Sequence, residues 1–160
     1  MRIKKEKGFS LIELLIVVAI ILIIAAIAIP NLLRSRMAAN EASAVGSLRT
    51  INTACVTYST TYGVGFPSQL SYLGSGGGGG TVTSTGSQLL DDVLASGSKS
   101  GYTFTYSAGA ASGTVIPTYS VTANPITYGQ TGLRYFFTDQ SGVIRFNTSQ
   151  AASASDSPLQ

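Results

Sequence analysis

An uninterrupted apolar run near the N-terminus constrains this 160-residue chain more than any other feature. Residues Leu14–Ile29 are all apolar. Together with Phe9–Glu13 they would form a helix about 32 Å long, since each helical residue adds 1.5 Å. A bilayer core is roughly 30 Å thick, so the segment is long enough to cross it. Its lone charge, Glu13, is costly in a membrane and therefore needs a partner or a role.

A short basic leader, residues 1–8, precedes the apolar run. Its charged residues are Arg2, Lys4, Lys5, Glu6 and Lys7. Basic residues that flank a membrane span stay on the cytoplasmic side. We therefore expect a single-pass protein with a cytoplasmic N-terminus, in which everything after Pro30 lies across the membrane.

These N-terminal residues resemble the prepilin family, which comprises the type IV pilins and the related pseudopilins of type II secretion. The match runs over Gly8-Phe9-Ser10-Leu11-Ile12-Glu13 and on through Ile21, and resumes over Ala25-Ala26-Ile27-Ala28-Ile29-Pro30. It covers about a fifth of the chain, and the motif is very specific. The resemblance implies cleavage by prepilin peptidase between Gly8 and Phe9, N-methylation of the new Phe9 amine, and assembly into a helical filament in which Phe9 and Glu13 take part.

The resemblance also implies a place and a set of partners. The precursor is expected in the bacterial inner membrane, and the assembled protein in an extracellular pilus. The implied partners are other copies of the chain, the prepilin peptidase, the membrane and, indirectly, the assembly ATPase machinery, since the chain has no nucleotide motif of its own.

Two positions depart from the family pattern. Many relatives carry glycine where this chain has Leu22, and leucine is a much better helix former, which weighs against the helix loosening that pilus filaments often show before the proline. Many pilins also have a C-terminal disulfide, whereas Cys55 is the only cysteine here and can form no intramolecular bridge. Core packing and neighbouring subunits must therefore supply the stability.

An ordinary secretory signal is the simplest alternative for the same residues. The basic start, the apolar run and the small residues of Ala26-Ile27-Ala28 fit one. The run is slightly long for a signal, Glu13 would be unusual in it, and an amphipathic pattern continues past Pro30. We therefore rank the prepilin interpretation first, a plain single-span anchor second and a cleaved secretory signal third.

The charge of the chain argues against several function classes. The whole chain has ten bases and seven acids, of which four bases and one acid lie in the leader, so six of each remain after it is removed. A neutral mature chain has no strong field to attract nucleic acid, and none is predicted as a partner. The chain has no histidine, the commonest general base and metal ligand. We predict neither an enzyme nor a cofactor.

Residues 31–62 are expected to continue the helix as an amphipathic half, with Pro30 bending it. The apolar positions step by three and four and are Met37, Ala44, Leu48, Ile51, Cys55, Tyr58 and Tyr62, with one gap filled by Glu41. From Phe9 to Tyr62 the helix would span roughly 80 Å, a length that suits a filament. Arg34 and Arg36, just past the apolar run, are interpreted as interfacial anchors.

Residues 63–100 are predicted to be a loop with a glycine run and a short helix. Gly63 is a candidate helix cap. The run Gly76–Gly80 lacks the Lys-Ser or Lys-Thr pair of a phosphate-binding loop and is interpreted as a flexible surface loop. Ser87 is expected to cap a helix from Gln88 to Ala95. The adjacent acids Asp91 and Asp92 would diverge on that helix and do not resemble a paired-carboxylate site.

Residues 101–147 show the period of two that is typical of strands. Four strands are predicted, at Tyr102–Tyr106, Thr118–Ala123, Leu133–Thr138 and Val143–Phe146, with a hairpin turn at Asp139–Gly142. A small antiparallel sheet packed on the amphipathic helix gives an α+β, pilin-like fold, in agreement with the resemblance. The aromatic residues are interpreted as core and cross-strand pairs.

Residues 148–160 are small and polar and are expected to form a flexible tail. Asn147-Thr148-Ser149 fits the three-residue pattern of a glycosylation acceptor. Several major pseudopilins bind calcium in their C-terminal region, but the only acidic residues in the C-terminal region of this chain are Asp139 and Asp156, so no metal is predicted.

Three functions remain open from the sequence. The first is a structural subunit of a type IV pilus. The second is a type II secretion pseudopilin in a short periplasmic filament, which the absence of calcium ligands and a longish variable domain disfavour modestly. The third is a membrane-anchored binding module that never polymerises, for which retention of Met1–Gly8 on the mature protein would be the evidence.

Overall fold

The structure, a computed structural model, describes residues 8–75 and 81–159. The chain forms two units, Met1–Ser35 and Arg36–Gln160. Residues 1–7 of the predicted leader and the glycine run of residues 76–80 lie outside the described residues. We call the second unit the head.

Helix α1 spans Leu11–Tyr62, so it begins in the first unit and ends in the head. Its start agrees with the predicted helix to within two residues. Pro30 lies inside α1, where it has no N–H to donate to the carbonyl one turn earlier. The bend expected at this proline stays a prediction. At the other end, the Gly63 N–H donates to the Ser59 carbonyl at 3.0 Å with φ of +67°, so the predicted glycine cap is confirmed.

The predicted apolar stripe forms the buried face of α1 in the head. Ala44, Leu48, Ile51, Cys55 and Tyr58 are buried, whereas Met37 and Tyr62 are only half-buried. Val45, Ser47 and Ala54 are buried as well, so the covered face is wider than the stripe. The extra width has a simple cause, because α1 is covered both by the sheet and by the segment that follows Gly63.

The predicted helix from Gln88 to Ala95 is wrong in its first half. Helix α2 spans only Asp92–Ala95, and its N-cap is Asp91, whose Oδ2 accepts a hydrogen bond from the Leu94 N–H at 3.0 Å. Gln88 has a left-handed φ of 53°, which no helix accommodates. The Ser87 hydroxyl does not cap α2 but donates to the Tyr72 carbonyl.

A six-stranded antiparallel sheet, in the order β1 to β6, covers the buried face of α1. Its strands are Ser98–Lys99 (β1), Tyr102–Ala108 (β2), Tyr119–Pro125 (β3), Tyr135–Asp139 (β4), Arg145–Asn147 (β5) and Ser157–Pro158 (β6). Strands β2 to β5 correspond to the four predicted strands, but β4 and β5 begin two residues later than predicted. Buried and more exposed residues alternate along β2, β3 and β4, whereas all three residues of β5 are half-buried. The prediction missed β1 and β6 because two residues are too few to show a period.

Residues 148–159 differ from the expectation of a flexible tail. β6 pairs with β5, and Ala152 is buried. The Asp156 carboxylate accepts hydrogen bonds from Asn147 Nδ2 at 2.8 Å and from the Ser153 N–H at 2.7 Å. These contacts order a segment whose composition alone is typical of disorder. They also engage the Asn147 amide nitrogen, the atom that glycosylation would need.

The core of the head lies between α1 and the inward face of the sheet. Leu48 and Ile51 are fully buried on the helix, as are Tyr102 and Phe136 on the strands. The contact predicted between the stripe and the aromatic strands is therefore confirmed. Leu70, Leu73, Leu90 and Leu94 close the core from the segment between α1 and β1.

Candidate assembly surface

The first turn of α1 fixes the position of Glu13. Ser10 precedes the helix and Glu13 is its third residue, the spacing of a capping box. The Ser10 N–H donates to Glu13 Oε2 at 2.9 Å, so the carboxylate satisfies a backbone donor that the helix leaves free. This contact holds the carboxylate at the start of its own helix.

Gly8 and Phe9 precede the helix and lie outside regular secondary structure. Phe9 is 83% exposed. A Cβ added at Gly8 would meet no atom within 4 Å, so the fold has no steric need for glycine there. A requirement for glycine at position 8 would therefore come from something outside the chain.

The first unit exposes an apolar surface around the whole helix. From Leu11 to Leu33, every large apolar side chain is at least 44% exposed. By length and composition, α1 is the one helix among residues 8–75 and 81–159 that could cross a membrane. So large an apolar patch is not stable in water and marks a surface that lipid or other protein covers.

Glu41 makes a set of buried polar contacts that the sequence pattern does not predict. In the sequence it is only a gap in the apolar stripe, yet the residue is buried, with 7% exposed. Its Oε1 accepts from the Leu133 and Arg134 N–H groups at 2.8 and 3.2 Å, and its Oε2 accepts from Arg134 Nε at 2.7 Å. A single carboxylate within an apolar stripe indicates such contacts, because a buried charge requires polar partners.

The Arg134 guanidinium completes this arrangement. It lies over the Phe136 ring at 5.5 Å and over the Phe146 ring at 5.8 Å. Cation–π contacts and the bond to Glu41 together fix a side chain that is 37% exposed. The pair ties α1 to the start of β4 and, through it, to β5.

Further polar contacts join α1 to the sheet and to the connection between β3 and β4. Asn40 Nδ2 donates to the Thr131 carbonyl at 3.0 Å. Asn52 Nδ2 donates to the fully buried Thr138 hydroxyl at 2.9 Å, and Asn52 Oδ1 accepts from the Tyr119 hydroxyl at 3.0 Å. These bonds give directional register to a contact that is otherwise apolar.

Cys55 is part of the core and not a nucleophile. It is fully buried, and burial raises the pKa of its thiol to about 12 against a smaller lowering effect of the neighbouring Tyr106 and Tyr119 side chains. The thiolate is the reactive form of cysteine, and it is not populated near neutral pH here.

The acidic side chains of the head are dispersed. Within residues 8–75 and 81–159, no three His, Cys, Asp or Glu side chains gather in a way that could hold a metal ion. Asp91 bonds to Lys99 Nζ at 3.1 Å, whereas Asp92 accepts from the Ser75 N–H at 2.9 Å, so the two neighbours point to different partners. Asp139 accepts from the Ser141 N–H within the β4–β5 turn.

Comparison with known proteins places these features in a family context. Residues 3–29 match the family model described as "Prokaryotic N-terminal methylation motif". The chain is 63% identical over 38 residues, or 24% of its length and 29% of the relative's, to "Type IV wide pilus major component PilA4" of Thermus thermophilus. It is 48% identical over 50 residues, 31% of this chain and 23% of the relative, to "Type IV major pilin protein PilA" of Myxococcus xanthus.

A third relative extends into the head. "Type IV major fimbrial protein FimA" of Dichelobacter nodosus is 37% identical over 107 residues, which are 65% of this chain and 59% of the relative. The chain thus spans between 23% and 59% of the length of these relatives. No solved structure matches the chain at a significant level. The resemblance to the type IV pilin and pseudopilin family, predicted from the residues around Glu13, is confirmed by these matches, all three of which are named as components of type IV pili or fimbriae.

Proposed function

We propose that the chain is a structural subunit of a type IV pilus. Prepilin peptidase would cleave between Gly8 and Phe9 and the Phe9 amine would be N-methylated. The span of residues 9–30 would hold the subunit in the inner membrane, with its N-terminus cytoplasmic, until it polymerises into an extracellular filament. The assembly machinery and its ATPase would supply the energy.

The observation that carries the proposal is the apolar surface of α1 from Leu11 to Leu33. Its side chains are exposed on every side of the helix. A lipid bilayer covers such a surface before assembly, and a bundle of identical helices can cover the same surface afterwards. The same segment therefore serves as a membrane anchor and as a filament core.

Processing and assembly converge on the first residues of the helix. Cleavage after Gly8 would create a cationic amine four residues from Glu13. We propose that the Glu13 carboxylate pairs with this amine on a neighbouring copy. In a filament core neither charge reaches water, so an unpaired one would cost several kcal/mol. A subunit displaced by one turn would leave both unmatched, so the pair would also set the axial register.

The bond from the Ser10 N–H is compatible with this role. It occupies one oxygen of the Glu13 carboxylate, Oε2, at 2.9 Å. A carboxylate has about four lone-pair sites, so the side chain keeps acceptor capacity for an amine of another copy. The intrachain bond would orient the carboxylate before assembly.

A pseudopilin of type II secretion is the second candidate, because the N-terminal motif is common to both classes of protein. The two classes differ in the location of the filament, which is periplasmic for a pseudopilin and extracellular for a pilin. A membrane-anchored module that does not polymerise is the third, and it predicts that residues 1–8 stay on the mature protein.

Electron microscopy of material sheared from the cell surface tests the proposal. Cells that express the chain should carry filaments that an antibody against the head decorates along their whole length. Cells with the coding region deleted should lack them. Antibody label confined to the inner membrane or to short periplasmic assemblies, in cells that export normally, would contradict the pilus assignment.

A further inference from the structure

Arg49 and Asp92 are exposed side chains of opposite charge in the head, and neither has an ion-pair partner among the described residues. The two ion pairs seen within residues 8–75 and 81–159 are Lys99–Asp91 and Arg134–Glu41. Arg49, on the exposed side of α1, and Asp92, at the start of α2, take part in neither. Each lies beside an exposed apolar residue, Val143 for Arg49 and Val93 for Asp92.

Arg49 borders a shallow groove of about 310 Å³. The remaining lining residues are Gly142, Val143, Ile144 and Leu159. Val143 is 38% exposed, whereas Ile144 is buried. The Leu159 N–H donates to the Ile144 carbonyl at 2.8 Å, so backbone hydrogen bonding holds the apolar wall in place. We call these five residues the basic groove; it combines an apolar floor with one cation.

α2 presents the opposite combination. Val93 is 59% exposed and lies directly after Asp92, while Leu94 and Ala95 anchor the other side of the helix in the core. A hydrogen bond from the Ser75 backbone N–H lowers the pKa of the fully exposed Asp92 carboxyl, so it is ionised at neutral pH. We call Asp92 and Val93 the acidic knob.

The knob and the groove lie at opposite edges of one sheet. α2 leads directly into the edge strand β1, whereas Ile144 and Leu159 flank β5 and the other edge strand, β6. Five strand spacings of about 4.8 Å separate the two edges, or roughly 24 Å. The knob of a chain therefore cannot reach its own groove.

We propose that the acidic knob of one copy docks in the basic groove of the next copy. Val93 packs on Val143 and Ile144, and the Asp92 carboxylate pairs with the Arg49 guanidinium. Such a contact joins two different surfaces and leaves one knob and one groove free at the ends of any row, so it propagates as an open helical array unless the rotation closes a ring. The inference rests on the proposed pilus function and names a head-to-head contact within it.

Charge reversal in the full-length chain tests the pairing. Arg49→Glu places two carboxylates opposite each other at every contact and should lower filament yield by at least about tenfold, since like charges across an interface are strongly unfavourable. Asp92→Arg should do the same with two cations. The double variant Arg49→Glu/Asp92→Arg restores opposite charges and should recover most of the yield. Singles that assemble normally, or a double variant no better than the singles, would overturn the pairing.

Disulfide trapping provides a second test that does not depend on charge. Purified filaments of a Val93→Cys/Val143→Cys variant should give a ladder of covalent oligomers on mild oxidation. Each single variant should stay monomeric, because one copy then offers only one of the two thiols. Val93→Cys/Val115→Cys is the matched control, since Val115 is also 39% exposed but lies in the β2–β3 connection. An equal ladder in that control, no ladder in either, or cross-linking of Val93→Cys to a different protein would contradict the inference.

These results separate the interface from the function. If the unaltered chain forms no filaments, the proposed function itself fails. If it forms them and the charge-reversed singles do so equally, only the knob-and-groove contact is wrong. Membrane levels and thermal unfolding of each variant exclude misfolding, which is not expected because both charged positions are exposed.

Discussion

The Glu41 carboxylate and the Arg134 guanidinium meet at 2.7 Å across 93 positions of sequence. The same carboxylate accepts hydrogen bonds from the backbone N–H groups of the two residues that precede β4. One side chain on α1 therefore satisfies three donors. The arrangement explains why β4 begins at Tyr135 and not at the predicted Leu133, because the N–H groups of Leu133 and Arg134 bond to the helix instead of to a strand.

We expect Glu41→Ala to destabilise the head by about 1–3 kcal/mol, the typical cost of leaving buried hydrogen-bond donors without an acceptor, because water can reach the partly exposed Arg134 guanidinium. Arg134→Ala should cost less, because Arg134 is partly exposed and Glu41 would keep its two backbone donors. Chemical denaturation of the detergent-solubilised chain measures both. If both variants lost the same free energy of unfolding, or Arg134→Ala lost more, the hydrogen bonds from Glu41 to the backbone would not supply much of the stabilisation.

Leu48→Ala should cost roughly 2–5 kcal/mol, because Leu48 is fully buried between α1 and the sheet. Val56→Ala on the same helix is the control; Val56 is 56% exposed and its truncation should change stability by less than about 0.5 kcal/mol. We further expect a fragment from Asn31 onward to fold alone, so the comparison can be made without detergent. An unchanged unfolding midpoint for Leu48→Ala would show that this contact does not stabilise the head.

Cys55 should resist thiol reagents in the folded protein and react fully after denaturation. Its pKa is raised above the ordinary value of 9.0, to about 12, so the folded state holds a proton that the unfolded state loses between these two values. Stability should therefore fall as pH rises from about 9 toward 12, because the unfolded state then binds fewer protons than the folded state. Titration with an aromatic disulfide reagent at pH 8, with and without denaturant, provides the check. Rapid labelling of the native chain would mean that the thiol is accessible.

The periodicity of apolar residues correctly predicted those helices and strands that are long enough to contain a repeat. The stripe through Leu48 and Ile51 and the alternation of Tyr102, Phe104 and Tyr106 gave α1 and β2 their correct faces. The spacing of Ser10 and Glu13 also permits prediction of their local bond, because it fits the capping-box pattern.

The remaining features depend on contacts that are distant in sequence. Ser87 and Asp91 are both good helix caps, and the choice of Asp91 follows from the hydrogen bonds of the Leu89 and Leu90 N–H groups to the Leu73 carbonyl. β6 exists only because β5 offers it an edge. The partner of Glu41 could not be identified from local pattern for the same reason.

Glu13→Ala should leave membrane insertion and cleavage after Gly8 largely intact while filament yield collapses, because the proposed partner of the Phe9 amine is lost. Glu13→Gln should be partly defective, since it keeps an acceptor but loses the charge. If the bond to the Ser10 N–H were the whole role of Glu13, it would contribute only about 0.3–1 kcal/mol at the helix start, and neither change would affect yield strongly. Quantification of sheared filaments and of processed subunit in the membrane separates these outcomes.

The mass of the subunit in purified filaments tests the central claim most directly. Intact-mass and N-terminal fragment spectra should show a chain that starts at Phe9 and carries one methyl group on its amine. A bulky substitution at Gly8 should leave unprocessed precursor in the membrane and no filaments, although the fold itself tolerates a side chain there. A mature chain that starts at Ile29 or Pro30, or one that retains residues 1–8, would contradict the account.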